Sequence, residues 1–156
     1  MHIKNATIAP FLWFDGQAKQ AVEYYTSIFP NSKIIFLNEA PGLGNTVATF
    51  ELCGQRFMAL DGGPMYKFNP AISLFVTVET QAEIDELWDS WLANGGTPVQ
   101  CGWLKDQFGL SWQVVPTALS RHLSNPDQAA AKRAMQAMLK MTKIIIADLE
   151  AAVADE

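Results

Sequence analysis

The sequence predicts a mixed α+β chain of two β-α-β-β-β modules followed by a helical tail. Three observations predict it. A short aromatic strand leads into an amphipathic helix, and three strand-like runs follow that helix. The same order then recurs in the second half, a divergent repeat visible in element order rather than in identity. From residue 125 onward the composition turns Ala-, Met- and Lys-rich, which favours helix. The modules cover about 6–65 and 69–118 and form one domain over 1–118; residues 119–156 form the extension.

The first module opens on Ile8-Ala9-Pro10-Phe11-Leu12-Trp13-Phe14, too short for a helix and rich in aromatics, hence a buried strand. Ala18, Ala21, Val22, Tyr25, Ile28 and Phe29 then form a helical stripe over 17–29, with Asp15 placed to cap its start and Pro30-Asn31 to break it. Residues 33–37 are β-rich. In 46–53, Ala48, Phe50 and Leu52 alternate with Val47, Thr49 and Glu51, so one set faces a core. Gly54-Gln55 reads as a tight turn into Arg56-Phe57-Met58-Ala59-Leu60.

The second module repeats this. Residues 71–79 are strand-like, and Thr80 with Glu83 forms a capping-box pattern. The helix over 82–93 carries Ile84, Leu87, Trp88, Trp91 and Leu92 on one stripe and ends at Asn94-Gly95-Gly96. Strands are expected over 97–101, 103–105 and 110–115, with Asp106-Gln107-Phe108-Gly109 as a turn and Pro116 closing the unit. In the tail, residues 129–143 and 144–153 read as helical. Met135, Met138, Leu139 and Met141 form an apolar flank there, either a packing surface or a Met-rich groove for a peptide.

Composition narrows the function classes. The 156 residues are 49% hydrophobic and 17% charged, enough to bury a core and too apolar for a disordered chain. Eleven Lys and Arg against 16 Asp and Glu leave a formal net charge of −5, so nothing favours a nucleic-acid backbone as partner. The two cysteines, Cys53 and Cys101, make no disulfide scaffold. Met1-His2-Ile3-Lys4-Asn5 lacks the apolar core of a signal peptide, and no run reaches transmembrane length. A reducing, cytoplasmic location and no membrane partner are the expectations.

Particular segments carry a family resemblance. They are Phe11-Leu12-Trp13-Phe14-Asp15-Gly16-Gln17-Ala18 with Ala21-Val22-Glu23-Tyr24-Tyr25, Phe57-Met58-Ala59-Leu60-Asp61-Gly62-Gly63-Pro64, and Phe68-Asn69-Pro70-Ala71. Cys101-Gly102-Trp103-Leu104-Lys105-Asp106, Gly109-Leu110-Ser111-Trp112-Gln113-Val114-Val115-Pro116 and Met135-Gln136-Ala137-Met138-Leu139-Lys140-Met141 extend it. With the two modules, they resemble the PhnB-like branch of the vicinal oxygen chelate superfamily, which includes glyoxalase I, bleomycin-resistance proteins and extradiol dioxygenases. The resemblance implies sheets curving around a cleft, and a homodimer. The apolar tail, with Ile144, Ile145, Ile146 and Leu149, exceeds what two modules need and points to the same pairing.

Members of this branch often carry the description 3-demethylubiquinone-9 3-methyltransferase. A methyltransferase of the usual kind needs a Gly-rich turn between a strand and a helix. Here Gly42-Leu43-Gly44-Asn45 falls between two strands and Gly62-Gly63-Pro64 opens no amphipathic helix. In metal-dependent members of the superfamily, four ligands, mostly His and Glu, come from the first and last strand of each module. Carried over, those positions fall near Ala9, within 57–60, near Ser73 and at Gln113, and offer no His and no carboxylate. The histidines, His2 and His122, lie outside those strands. The expectation is a cleft with no metal and no cofactor.

What remains is a set of polar groups among aromatics, the usual makeup of a small-molecule pocket. The candidate ligand-binding residues are Phe11, Trp13, Phe57, Asp61, Ser73, Cys101, Trp103, Ser111 and Gln113. Alternation puts Ser111, Gln113 and Val115 on one face of the last strand and Leu110, Trp112 and Val114 on the other. The resemblance implies that Gln113 faces the cleft, so that Trp112 packs under the helices. By the same alternation Phe11 and Trp13 face the cleft, with Leu12 and Phe14 under the first helix. Trp13 reads as a stacking wall or as ordinary core. Asp61 and Cys101 are the catalytic candidates. Asp61 would serve as a proton-transfer base at the rim, or is a turn residue; Cys101 would be a thiol activated by Lys105, or an inert buried cysteine. Lys105 and Asp106 read as a solvated pair, and the tail's Lys132, Arg133, Lys140 and Lys143 as a solvated helix face. Three functions compete: a metal-free binding protein for a small, partly apolar molecule, an enzyme using a cleft carboxylate, and a protein acting through assembly.

Overall fold

A computed structural model describes residues 4–39 and 46–154. The chain divides into two compact units, Met1–Lys67 and Phe68–Glu156. Residues 40–45, which include Gly42-Leu43-Gly44-Asn45, and residues 1–3, which include His2, lie outside the described residues.

The first unit runs β1 (Phe11–Phe14), α1 (Ala18–Ile28), β2 (Lys33–Glu39), β3 (Thr46–Leu52) and β4 (Gln55–Asp61). These strands form one sheet in the order β1-β4-β3-β2, with β1 parallel to β4 and the other pairs antiparallel. Ala18, Ala21, Val22 and Tyr25 of α1 are buried, as are Leu12, Phe14, Ala48, Phe50, Leu52, Phe57 and Ala59 of the sheet. The expected alternation of β1 and β3 is observed. The two-residue hairpin loop is Cys53-Gly54, with φ of 49° and 81°, and Gln55 already belongs to β4. Positive φ at both central positions is the geometry that suits the twist of a hairpin.

The helix start departs from expectation. The N-cap residue of α1 is Gln17, which makes no side-chain cap, and Asp15 does not serve. Asp61, at the end of β4, accepts a 2.8 Å hydrogen bond through Oδ1 from the Ala18 amide. One of the helix's orphan donors is thus satisfied from 43 residues away.

The second unit begins with β5 (Ser73–Val78), α2 (Gln81–Ala93), β6 (Thr97–Pro98), β7 (Trp103–Lys105) and β8 (Ser111–Pro116). Its sheet order is β5-β8-β7-β6, again with the first strand parallel to the last. Ile84, Trp88 and Trp91 of α2 are buried, while Leu92 stays on the solvent side of the stripe. The capping box forms: Thr80 Oγ1 accepts from the Glu83 amide, and Glu83 Oε2 accepts from the Thr80 amide. At the other end the Gly96 amide returns to the Trp91 carbonyl at 2.8 Å, with Gly95 at φ 96°. β6 is only two residues long, because 99–102 turns the chain: Cys101 and Gly102 take φ of 60° and 81°.

The pair read as solvated divides. Lys105 is exposed, but Asp106 is 2% exposed. It accepts from Trp112 Nε1 at 2.8 Å and from the Leu110 and Phe108 amides at 3.0 and 2.9 Å. Trp112 lies 5.0 Å, centroid to centroid, from Trp91.

Three helices follow: α3 (Thr117–Leu123), α4 (Gln128–Met138) and α5 (Ile146–Ala154). The sequence reading missed α3, which starts directly after Pro116, and ran α4 on to residue 143. The helix stops at Met138 because the chain is wanted elsewhere. The Met141 and Thr142 carbonyls accept 2.8 Å bonds from the Cys101 and Gly102 amides. Lys143 Nζ sits 2.6 Å from Asp85 Oδ1, and this bond, with one from Gln81, holds the Asp85 carboxyl below the usual range. Gln81 also donates to the Ile144 carbonyl and accepts from the Ile146 amide. Met141, Ile144 and Leu149 are buried with Val115 and Leu119. Much of the tail's apolar content is therefore spent inside this unit, leaving Met135 of α4 and Leu139 just beyond it exposed. Arg133, read as solvated, donates to the Ala152 and Val153 carbonyls at the end of α5.

Burying a large side chain contributes roughly 1.5–3 kcal/mol, and deletion adds a cavity cost. Tyr25→Ala and Trp91→Ala should each lower the unfolding free energy by about 3–5 kcal/mol in urea titrations. Unchanged midpoints in both would contradict the helix–sheet packing.

Candidate functional site

Each sheet has one face under its helix and one turned away, and the candidate residues divide between them. In the first unit the pairs Phe11–Met58 and Trp13–Leu60 share the face away from α1, and β3 adds Thr49 and Val47 to those rows. Phe11 is 49% exposed. The next row carries Arg56 beside Glu51, which pairs with Lys33 at 3.5 Å, so the face is apolar towards Trp13 and charged at its other end.

Trp13 is held in place. Its Nε1 donates to the Gly63 carbonyl at 2.8 Å, and the Tyr66 ring meets it edge-on at 5.0 Å. A Cβ at position 62 would stand 2.2 Å from the indole, so the ring lies where only glycine leaves room. Phe57 and Asp61 do not join this group. Both lie on the α1 side, where Phe57 stacks on Phe50 at 5.5 Å and Asp61 binds the Ala18 amide. Two-residue alternation decides it: Met58 and Leu60 take the opposite side from Phe57, Ala59 and Asp61. Placing Phe57 with Trp13 is thus corrected, and Asp61 is a buried structural carboxylate rather than one at a rim.

In the second unit, pinning Trp112 beneath α2 turns Ser111 and Gln113 to the other side. Gln113 Nε2 donates to Ser73 Oγ at 2.9 Å. Registry puts Phe75 and Trp103 on either side of Gln113, and Ser73 and Lys105 on either side of Ser111. Ser73, Trp103, Ser111 and Gln113 are therefore brought together as the sequence reading grouped them. Cys101 stands apart, in the turn before β7. Phe75, 56% exposed, was missed, as were Met58, Leu60 and Tyr66. Alternation from Ser73 and from Phe57 would have found the first three; Tyr66 follows the strand and carries no periodic signal.

The donor set does not fit a divalent metal. At the positions that the resemblance equates with metal ligands, the chain has Ala9, the stretch 57–60, Ser73 and Gln113, and the last two are bonded to each other. Among the described residues, no group of three or more His, Cys, Asp and Glu is close enough to hold an ion. Neutral hydroxyl and amide oxygens are weak ligands for zinc or iron.

The model of the 3-demethylubiquinone-9 3-methyltransferase family matches residues 6–115. The chain belongs to that family. A putative member from Bacillus cereus, described as a PhnB protein, is 35% identical; 71% of this chain and 99% of that one are covered, with a TM-score of 0.66. A Pseudomonas aeruginosa protein of known structure is 20% identical, covering 72% of this chain and 98% of its own, at a TM-score of 0.58. The fosfomycin resistance protein FosX from Listeria monocytogenes is 14% identical, covering 73% and 94%, at 0.53. The last two show likeness of fold alone. No curated protein matches. The family match ends at residue 115, so α3, α4 and α5 lie beyond it. Among the described residues, no helix is long and apolar enough to cross a membrane.

Gly62→Ala should expel the Trp13 indole and cost about 1–3 kcal/mol. The Trp13 indole N–H signal in a proton–nitrogen correlation spectrum should shift and exchange faster with solvent. An unmoved signal would contradict the packing of Trp13 on Gly62.

Proposed function

We propose that this chain binds small, partly apolar molecules, without metal, on the sheet face that each unit turns away from its helix, α1 or α2. One observation carries the reading: Gln113 is fixed by its 2.9 Å bond to Ser73 and flanked in registry by Phe75 and Trp103. A polar group held in a set orientation between aromatics is what orients a ligand within an apolar site. Trp13, locked over Gly62 beside Phe11, adds a second aromatic platform in the first unit. Asp61 gives no support to a proton-transfer enzyme, since it is buried against the start of α1. Methyl transfer, the activity in the family's description, stays outside the proposal: Gly62 and Gly63 follow a strand and lead into no helix before β5.

The test is native mass spectrometry of the purified protein, with the co-purifying molecule identified. Trp13→Ala and Gln113→Ala should each weaken its retention about tenfold or more, the scale of one lost anchor. Wild-type retention in both would move the site elsewhere. Stoichiometric zinc, iron, nickel or manganese on these strands would overturn the metal-free part.

The proposal includes a homodimer, supported by Met135 of α4 and Leu139, the residue that caps it, standing exposed one turn apart. Sedimentation should give twice the chain mass, and Met135→Glu with Leu139→Glu should halve it. A wild-type monomer, or a dimer indifferent to both charges, would contradict this.

A further inference from the structure

We propose that the face of the second sheet takes a small aromatic acid, its ring over Gln113 and its carboxylate at Lys105. This rests on the ligand-binding reading above and adds the class of ligand. Charge gives the first reason. The chain carries 16 acidic residues against 11 basic ones, yet strand registry brings no acid to this face. Lys105 is its one cation, and among the described residues it has no ion pair, whereas Lys33 and Lys143 each hold a carboxylate. An unneutralised ammonium on a face without acids favours an anion.

Hydroxyls give the second reason. Ser111 lies between Lys105 and Ser73 in one row across the sheet. Ser73 Oγ already accepts from the Gln113 amide, so its own proton is left to donate. Ser111 itself is buried, so an oxyanion on this row would meet the Lys105 ammonium and the Ser73 hydroxyl proton, and hydrogen bonds to a charged acceptor are the stronger kind.

Geometry gives the third. Phe75 and Trp103 sit two strand spacings apart, roughly 10 Å, with Gln113 between them, which leaves width for a planar ring. The next row lies about 7 Å along the strands, within reach of a carboxylate on a fused two-ring acid.

The test uses 2-naphthoate and its neutral counterpart 2-naphthalenemethanol, titrated into the full chain at low salt and followed by the Trp103 indole and Ser73 and Gln113 amide signals. The acid should bind about fivefold more tightly, the upper range for an exposed ion pair. Lys105→Gln should erase that preference and Lys105→Arg should keep it, with unfolding midpoints unchanged in both. Equal binding of acid and alcohol at these residues overturns the acid assignment and leaves the ligand-binding reading standing. A preference that survives Lys105→Gln overturns the role of Lys105. If neither probe moves these signals, both readings fail at this sheet.

Discussion

The second unit depends on how Trp112 is held. Its indole N–H ends on the buried carboxylate of Asp106 at 2.8 Å, and its ring packs 5.0 Å from Trp91 of α2. The same carboxylate ties down the Phe108 and Leu110 amides, so the turn, the last strand and the helix share one anchor. A strand anchored at one residue has all its side chains assigned to faces. With Trp112 under α2, Ser111 and Gln113 must face away, and parallel pairing with β5 carries Ser73 and Phe75 to the same side. A slip of one residue would bury the Gln113 amide beneath the helix and expose an indole. The make-up of the candidate face therefore follows from an event in the core.

The first unit solves the same problem differently. Leu12 and Phe14 go under α1, and the helix gains its N-terminal acceptor from Asp61, which ends β4 in register with Phe14. The end of β4 and the residue after it thus do two things. Asp61 secures the helix on one side, and Gly62 leaves room for Trp13. Both depend on β1 lying beside β4 in parallel, with Trp13 opposite Leu60. The tail secures the second unit at its turn, where Cys101 and Gly102 are bound by Met141 and Thr142. Gly102 has no room for a side chain there, since a Cβ would meet the Val114 carbonyl at 2.8 Å.

What was legible in the sequence was local. Element order through β8, the alternation in β3, the Thr80–Glu83 box and the Gly95 stop each depend on neighbours a few residues away, and each was read correctly. So was the burial of Trp112 opposite Gln113: alternation set the two on opposite faces, and the family resemblance said which face turns inward. What was not legible depends on distant partners. Asp61 looked like a turn acid because the amide it caps is 43 residues earlier in the chain. Asp106 looked solvated because the indole that needs it belongs to the next strand. Residues 139–143 have helix propensity, but bonds to Cys101, Gly102 and Asp85 outweigh it. Phe57 was misplaced for a simpler reason: the alternation applied to β1 was not carried to β4.

The proposed binding faces are those turned away from the helices, and the five tryptophans divide along that line. Trp13 and Trp103 lie on those faces, whereas Trp88, Trp91 and Trp112 are in the core. Hydroxyl-radical footprinting of the protein as purified, and again after its bound molecule is stripped, reads all five at once. Stripping should raise labelling at Trp13 and Trp103 and leave the other three unchanged. Labelling of Trp13 and Trp103 that does not respond to the bound molecule would contradict it.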